Sequence, residues 1–337
     1  MRLLILGGTR FAGRHLAAAA LDAGHEVTLF NRGLTDPDLF PRAEQLRGDR
    51  DREGDLAAAF AGRQWDAVAD CCGYRPEQVA AATRCLGGAV QRYLFLSTIS
   101  VYADFASGPD ESSPLKPPLG QDGDDRADLR YGALKARCEA VVEKAMPGRA
   151  LVVRSGLLIG PHDRTQRFAW WVRRVAAGGE VLAPGRPGHP LQLVDARDLA
   201  AWMLLALARG AAGRFNATSP RGRLTFGGLL ETCRAVAASA ARFTWVDGSF
   251  LAANGVRPMD DLPLWLPEEA HGFFAVDTAR AAAAGLTLRP LAHSVRAVLA
   301  ELHSSQPAAA ASARLPPERE AELLQSWHAR SAAAPRL

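Results

Sequence analysis

The chain has 337 residues, of which 48% are hydrophobic and 23% charged, and its net charge is +4. This composition excludes wholesale disorder, and the length predicts one large domain or two closely joined ones. No run of 18 apolar residues and no CxxC spacing among the five cysteines occur, so we predict a reduced, cytoplasmic protein without a membrane span. The arginines are dispersed, which argues against nucleic acid as a partner, and we expect no metal site.

The first half of the chain alternates short apolar runs with longer helical patterns, as is typical of βαβ units around a parallel sheet. The predicted strands are Arg2–Leu6, Glu26–Phe30, Ala67–Cys71, Tyr93–Ser97 and Ala150–Arg154. The predicted helices are Gly13–Ala23, Pro76–Leu86 and Tyr131–Ala145. We therefore predict an α/β fold, with a doubly wound parallel sheet of the Rossmann type over residues 1–161.

The pattern changes after Gly160. Short strands are predicted at Gln192–Val194 and Arg214–Ala217, among helices and proline-rich loops. We expect a smaller α/β lobe that binds substrate over residues 162–305, interleaved with late strands near 191–217 that complete the sheet. Residues 306–337 are predicted to form a linker and a docked C-terminal helix.

A glycine-rich segment, GGTRFAG over residues 7–13, connects the first strand to the first helix. Gly7 permits a tight turn, Gly13 lets helix and strand approach, and the helix N-terminus presents N–H groups to a pyrophosphate. This context favours a dinucleotide site over a purely structural turn. Its expected ligands include Thr9, Arg10 and Phe11.

Asn31 and Arg32 follow the second strand, where a carboxylate usually accepts the ribose hydroxyls of NAD. Without that carboxylate, Arg32 and Arg10 are able to bind a 2′-phosphate through charge-assisted hydrogen bonds. We therefore expect NADP in preference to NAD. The alternative is that Arg32 is a solvated loop residue.

Tyr131 and Lys135 form a YxxxK pair, whose spacing places both side chains on one helical face. An ammonium about 4 Å from a phenol, at an effective dielectric of about 20, contributes about 4 kcal/mol, or roughly three pKa units. Such a pair brings the tyrosine towards proton transfer near neutral pH. On its own, the pattern is also typical of an ordinary amphipathic helix.

These motifs, together with FLSTISVY over residues 95–102, resemble the extended short-chain dehydrogenase/reductases, in an epimerase/dehydratase-like branch with GGTxFxG. The departure is Arg10, where the family usually has its middle glycine. The resemblance implies that Thr98 binds the substrate oxygen beside Tyr131, and that the protein is a homodimer. It also implies further cofactor contacts, namely Asn31, Asp49, Arg50, Cys71, Lys135, Ser155 and Leu157. Residues 104–130 are interpreted as an insertion that shapes the pocket or covers it.

Three functions remain open. The first is reduction of a carbonyl-type group on a small, fairly apolar metabolite, because Leu157 and the aromatic segment 168–172 follow the nicotinamide strand. The second is epimerisation of a nucleotide sugar, and the third is a non-catalytic dinucleotide- or RNA-binding role. Dehydration is disfavoured, because Ile99 and Ser100 follow Thr98 where dehydratases of the family carry Asp-Glu.

Overall fold

The structure is a computed structural model that describes residues 1–118, 127–304 and 314–333. The chain divides into two compact units. The first unit consists of Met1–Leu158, Leu193–Pro220 and Val276–Leu288. The second consists of Ile159–Gln192, Arg221–Ala275 and Arg289–Leu337. The return of Val276–Leu288 to the first unit was not predicted, and most of the predicted linker lies outside the described residues.

The strands and helices follow the sequence pattern closely in the first half of the chain. The strands are β1 Arg2–Leu6, β2 Glu26–Asn31, β3 Glu44–Arg47, β4 Trp65–Asp70, β5 Val90–Thr98, β6 Ala150–Ser155, β7 Leu157–Ile159, β8 Glu180–Pro184, β9 Pro190–Leu191, β10 Leu193–Asp195, β11 Gly213–Ala217, β12 Leu224–Thr225 and β13 Arg242–Val246. The helices are α1 Phe11–Asp22, α2 Glu53–Phe60, α3 Pro76–Leu86, α4 Ala127–Ala145, α5 Arg167–Ala176, α6 Ala196–Ala208, α7 Phe226–Ala237, α8 Gly248–Ala253, α9 Ala279–Ala283, α10 Leu291–Ser304 and α11 Pro317–Ala333. Two segments, Ile99–Val101 and Glu268–Phe274, form 3₁₀ helices.

The first unit is built on a parallel sheet of seven strands in the order β11-β6-β5-β4-β1-β2-β3. Leu3 and Ile5 pack on one face with α1 and α6, whereas Leu4 and Leu6 pack on the other with α2, α3 and α4. Both faces are therefore covered, as continuous apolar strands require. The predicted doubly wound fold is confirmed.

Two details of the sheet differ from the sequence prediction. The edge strand β3, with the polar sequence EQLR, was not predicted, because it lacks an apolar run. The strand predicted at Gln192–Val194 is present as β10 Leu193–Asp195, but it is not one of the seven sheet strands. Only β11, from the late segment, completes the sheet.

The second unit packs α5, α7 and α10 together, beside the parallel pair β8 and β13. Phe168 and Trp171 on α5 are buried in this core, where Trp171 packs against Phe226 and donates to the Pro263 carbonyl. The expectation that these aromatic residues line a substrate pocket therefore loses its support. The terminal helix α11 docks on the same unit, because the buried Glu320 accepts from the Leu182 amide.

No helix among residues 1–118, 127–304 and 314–333 has the length and apolar character to cross a membrane. Within the same ranges, no group of three or more histidine, cysteine or acidic side chains is arranged to hold a metal ion.

Candidate active site

The glycine turn after β1 has the backbone that its sequence requires. Gly7 and Gly8 have φ of +102° and +86°, in the region that L-residues avoid. A Cβ on Gly13 would lie 2.9 Å from the Gly8 nitrogen, so glycine is needed for α1 to approach the turn. Arg10 is extended, with φ of −130°, so its backbone does not need the glycine that the family usually has there.

A cavity of about 430 Å³ lies within the first unit, at the carboxyl ends of β1, β2, β4 and β5. Its lining includes thirteen of the predicted site residues: Gly7, Thr9, Arg10, Phe11, Gly13, Asn31, Arg32, Asp49, Arg50, Cys71, Tyr131, Lys135 and Ser155. Thr98 and Leu157 are not among the described lining residues, and Leu158 lines the cavity instead. The topology thus brings together residues that are far apart in sequence.

Three arginines surround the end of β2. The Asn31 Oδ1 accepts from the Gly33 amide and from Arg47, whereas its buried Nδ2 has no partner among the described residues. Arg10 donates to the Thr35 hydroxyl at 3.1 Å, and Arg32 is exposed at the cavity rim. Sequence reasoning missed Arg47, because it lies on the unpredicted strand β3.

Arg50 lines the cavity, and its guanidinium binds the buried carboxylate of Asp70. It donates to the two oxygens of Asp70 at 2.7 and 3.0 Å, and to the Cys72 Sγ at 3.0 Å. Although burial opposes ionisation, Arg50 holds the pKa of Asp70 below its ordinary value. Arg50 thus forms a buried ion pair with Asp70 while lining the cavity, and its cofactor contact stays a prediction.

Helix α4 carries Tyr131 and Lys135 to the cavity, one turn apart. The Tyr131 side chain is 39% exposed, whereas Lys135 is buried. The Lys135 ammonium donates to the carbonyls of Gly73 and Leu96 and lies 4.2 Å from the centre of the Phe95 ring. Burial lowers the pKa of Lys135, and nearby acidic groups oppose that shift.

Thr98 caps the 3₁₀ helix that follows β5. Its Oγ1 accepts from the Ser100 amide at 3.1 Å and donates to the Ser100 hydroxyl at 3.2 Å. The sequence analysis did not predict this capping role of Thr98. Helix α4 presses against this turn, because a Cβ on Gly132 would lie 2.1 Å from the Ser100 carbonyl oxygen. The bare backbone at Gly132 thus brings Tyr131 alongside the hydroxyl-bearing turn.

A buried ion pair lies behind this site. Ser97 donates to Glu139, and Glu139 pairs with Arg154 at 2.7 Å, both side chains being almost fully buried. Arg154 also donates to the Tyr102 hydroxyl at 3.0 Å. Glu139 lies four residues after Lys135, so the helical spacing was the one sequence signal for its inward direction.

Comparison with known proteins agrees with this geometry. The family model of the NAD dependent epimerase/dehydratase family matches residues 3–83 and 76–217. The chain belongs to this family. The predicted resemblance to extended short-chain dehydrogenase/reductases is thereby confirmed.

Individual relatives are more distant. The chloroplast stem-loop binding protein of 41 kDa b from Arabidopsis thaliana is 27% identical over 252 residues, covering 69% of this chain and 62% of that protein. The chain thus matches less than two thirds of that relative. The UDP-glucose 4-epimerase of Thermotoga maritima superposes with a TM-score of 0.67 at 16% identity, covering 90% of this chain and 99% of that one. The UDP-glucose 4-epimerase of Thermus thermophilus gives 0.64 at 18% identity, covering 91% and 100%. These two structures share the fold.

Proposed function

We propose that the protein is an NADP-dependent oxidoreductase that reduces a carbonyl-type group of a small metabolite. One observation carries the proposal: a single cavity is lined both by the glycine turn after β1 and by the Tyr131–Lys135 pair of α4. The glycine turn is typical of a dinucleotide-binding site, and the Tyr131–Lys135 pair is typical of an acid–base catalytic site. Family membership supports a nicotinamide cofactor in this cavity.

The residues present fit a dinucleotide. Gly7 and Gly8 leave the turn without side chains, and the first N–H groups of α1 have no intrahelical acceptors, so they suit a pyrophosphate. The buried Nδ2 of Asn31 is a donor without an acceptor in the part of the chain that the structure describes. A ribose oxygen or phosphate oxygen would satisfy it. When bound, NADPH supplies the hydride that adds to the carbonyl carbon.

The preference for NADP rests on charge at the end of β2. Arg10 and Arg32 line the cavity there, Arg47 donates to the Asn31 side chain, and the strand ends in Asn31 rather than in an acidic residue. The guanidinium groups of Arg10 and Arg32, which line the cavity, favour a dianionic 2′-phosphate, and no carboxylate at position 31 repels it. NAD lacks this phosphate and would gain nothing from Arg32.

Tyr131 is the proton donor in this reaction. As hydride adds to the carbonyl carbon, the Tyr131 hydroxyl gives its proton to the carbonyl oxygen, and the product is an alcohol. Lys135, one turn along α4, supplies the positive charge that stabilises the phenolate left behind. Solvent then returns a proton to Tyr131, which remains accessible. The Ser100 turn lies beside this position because Gly132 lets α4 approach it.

Dehydration remains disfavoured, because Ile99 and Ser100 stand where dehydratases of the family carry acidic residues. Ile99 is buried, and Ser100 carries only a hydroxyl. Epimerisation of a sugar uses the same hydride and proton transfers, so it is the alternative outcome of the test. The cavity lining also includes the apolar Leu96 and Leu158 and the polar Ser97 and Ser155. This mixed lining suits a small substrate with both apolar and polar groups.

The test is a screen of purified protein against aldehydes, ketones, and UDP- and dTDP-sugars, followed by NADPH absorbance and by NMR of the sugars. We expect NADPH oxidation with a carbonyl compound, whereas sugar interconversion without net oxidation would establish the epimerase alternative.

Variants of α4 then test the proposed roles. Tyr131→Phe should lower turnover about 10²–10⁴-fold without changing NADP affinity, because the phenolic proton serves the reaction and not binding. Lys135→Met should also abolish turnover, whereas Lys144→Met, at an exposed position of the same helix, should retain it. Turnover above about one per cent in Tyr131→Phe would contradict the assignment.

A further inference from the structure

The buried carboxylate at the end of β4 accepts four hydrogen bonds from three residues. Asp70 is fully buried and accepts from both terminal nitrogens of Arg50, from the Tyr93 hydroxyl at 2.9 Å and from the Cys72 amide at 3.1 Å. Arg50 belongs to the loop after β3 that lines the cavity together with Asp49. Because an isolated buried charge is costly, these partners fix the carboxylate in place.

The residues that follow Asp70 connect it to the lysine of α4. The Cys72 amide anchors the turn after β4 on Asp70, and the Gly73 carbonyl of the same turn accepts from the Lys135 ammonium at 2.9 Å. A Cβ on Gly73 would lie 2.7 Å from a ring carbon of Phe95 and 3.0 Å from an oxygen of Asp70. The turn is therefore packed directly between the carboxylate and the ring beneath Lys135.

We propose that Arg50 and Asp70 form a positioning pair for Lys135, which fixes the Gly73 carbonyl under the ammonium and joins the loop after β3 to the catalytic helix. The negative charge of Asp70 also favours the charged form of Lys135. The proposal deepens the proposed function, since it identifies what holds Lys135 where it acts on Tyr131. The Arg50–Asp70 contact itself does not depend on which reaction occurs.

The charges around Lys135 give the pair a distinct signature. Burial lowers the pKa of Lys135, while Asp70, Cys138 and Glu139 oppose this and Arg50 adds to it. Asp70 has the largest opposing effect. Removing Asp70 should therefore lower the pKa of Lys135, whereas removing Arg50 should raise it. A general loosening of the fold would not produce opposite signs.

The chain contains only three lysines, Lys116, Lys135 and Lys144. Lysine-selective ¹³C and ¹⁵N labelling of the full chain therefore gives three side-chain signals, and Lys135→Arg assigns the relevant one. We expect Asp70→Asn to lower the titration midpoint of Lys135 by about one pH unit or more. Arg50→Gln should shift the midpoint upward. Neither measurement requires a substrate.

Either single variant leaves a buried charge without its partner, so the double variant Arg50→Gln/Asp70→Asn provides a second route if a single one does not fold. Its midpoint should fall below that of the parent, because Asp70 outweighs Arg50 at Lys135. The matched control is Arg214→Gln/Glu143→Gln, which removes a bidentate pair of the same unit. It should leave the Lys135 midpoint unchanged.

An unchanged Lys135 midpoint in the double variant, or the same shift in the control, would overturn the proposal. Where the screen has supplied a substrate, the pH profile of turnover should move in the same order as the NMR midpoints. If the screen supplies none, the proposed reaction fails while the titration still decides the role of the pair.

Discussion

Replacing Gly132 with alanine should separate helix α4 from the turn that it packs against. Gly132 lies within α4, directly after Tyr131, and an alanine Cβ would lie 2.1 Å from the Ser100 carbonyl oxygen and 2.9 Å from the Ser100 carbonyl carbon. Carbon–oxygen contacts in proteins rarely fall below about 3.3 Å. Helix α4 must therefore withdraw from the turn by about 1 Å.

Two opposing effects set the size of the change. Alanine gains about 1 kcal/mol over glycine as a helix former. Overpacking a tight contact costs about 1–3 kcal/mol, and the partner here is rigid backbone rather than a flexible side chain. We expect net destabilisation of up to about 2 kcal/mol. Turnover should fall by more, about 10²-fold, because Tyr131 moves with the helix.

Urea unfolding and NADPH turnover measure the two effects. The matched control is Gly54→Ala in α2, where a Cβ would meet no atom within 4 Å. That variant should keep its turnover and be at least as stable as the parent. If Gly132→Ala is equally stable and active, the close approach of α4 to Ser100 does not position Tyr131.

Three further predictions concern charge. Arg32→Ala should weaken NADP binding by about 1.5–3 kcal/mol and leave NAD binding unchanged in calorimetry; equal losses would make Arg32 a bystander. Glu139→Gln leaves Arg154 buried without its counter-charge and should destabilise by about 3–5 kcal/mol in urea, whereas the exposed Glu53→Gln should have little effect; similar midpoints would refute this. Because the pKa of Asp70 lies below its ordinary value, its stabilisation is complete above the unfolded-state pKa and is lost as pH falls through the folded-state pKa. Acid unfolding of Asp70→Asn should therefore depend less on pH than that of the parent.

The sequence predicted the first half of the fold well, because strands covered on both faces have continuous apolar runs. It missed β3, whose polar residues depend on pairing with β2 rather than on burial. The aromatic segment of α5 was misplaced for a related reason. A buried tryptophan such as Trp171 has the same sequence pattern whether it fills a core or faces a ligand, and only tertiary packing separates the two.

The sequence predicted which residues line the cavity better than it predicted the hydrogen bonds that those residues make. The glycine turn and the YxxxK pair depend on local spacing, so their residues meet at one cavity as expected. The contacts of Thr98 were not predicted. Its hydroxyl accepts from the Ser100 amide, and a sequence motif does not indicate such a local side-chain-to-backbone hydrogen bond. The ion pair of Arg50 was not predicted either, since its partner Asp70 is 20 residues away in sequence.

The discontinuous first unit has a consequence for synthesis on the ribosome. Its sheet ends in β11 Gly213–Ala217, and one of its faces is covered by α6 Ala196–Ala208. Until these residues emerge, β6 remains an open edge and the apolar surface that α6 covers stays exposed. The N-terminal part of the first unit therefore cannot complete its folding before the later segments of that unit emerge. A chain that ends at Leu158 should aggregate, whereas one that extends through Leu288 contains every segment of that unit.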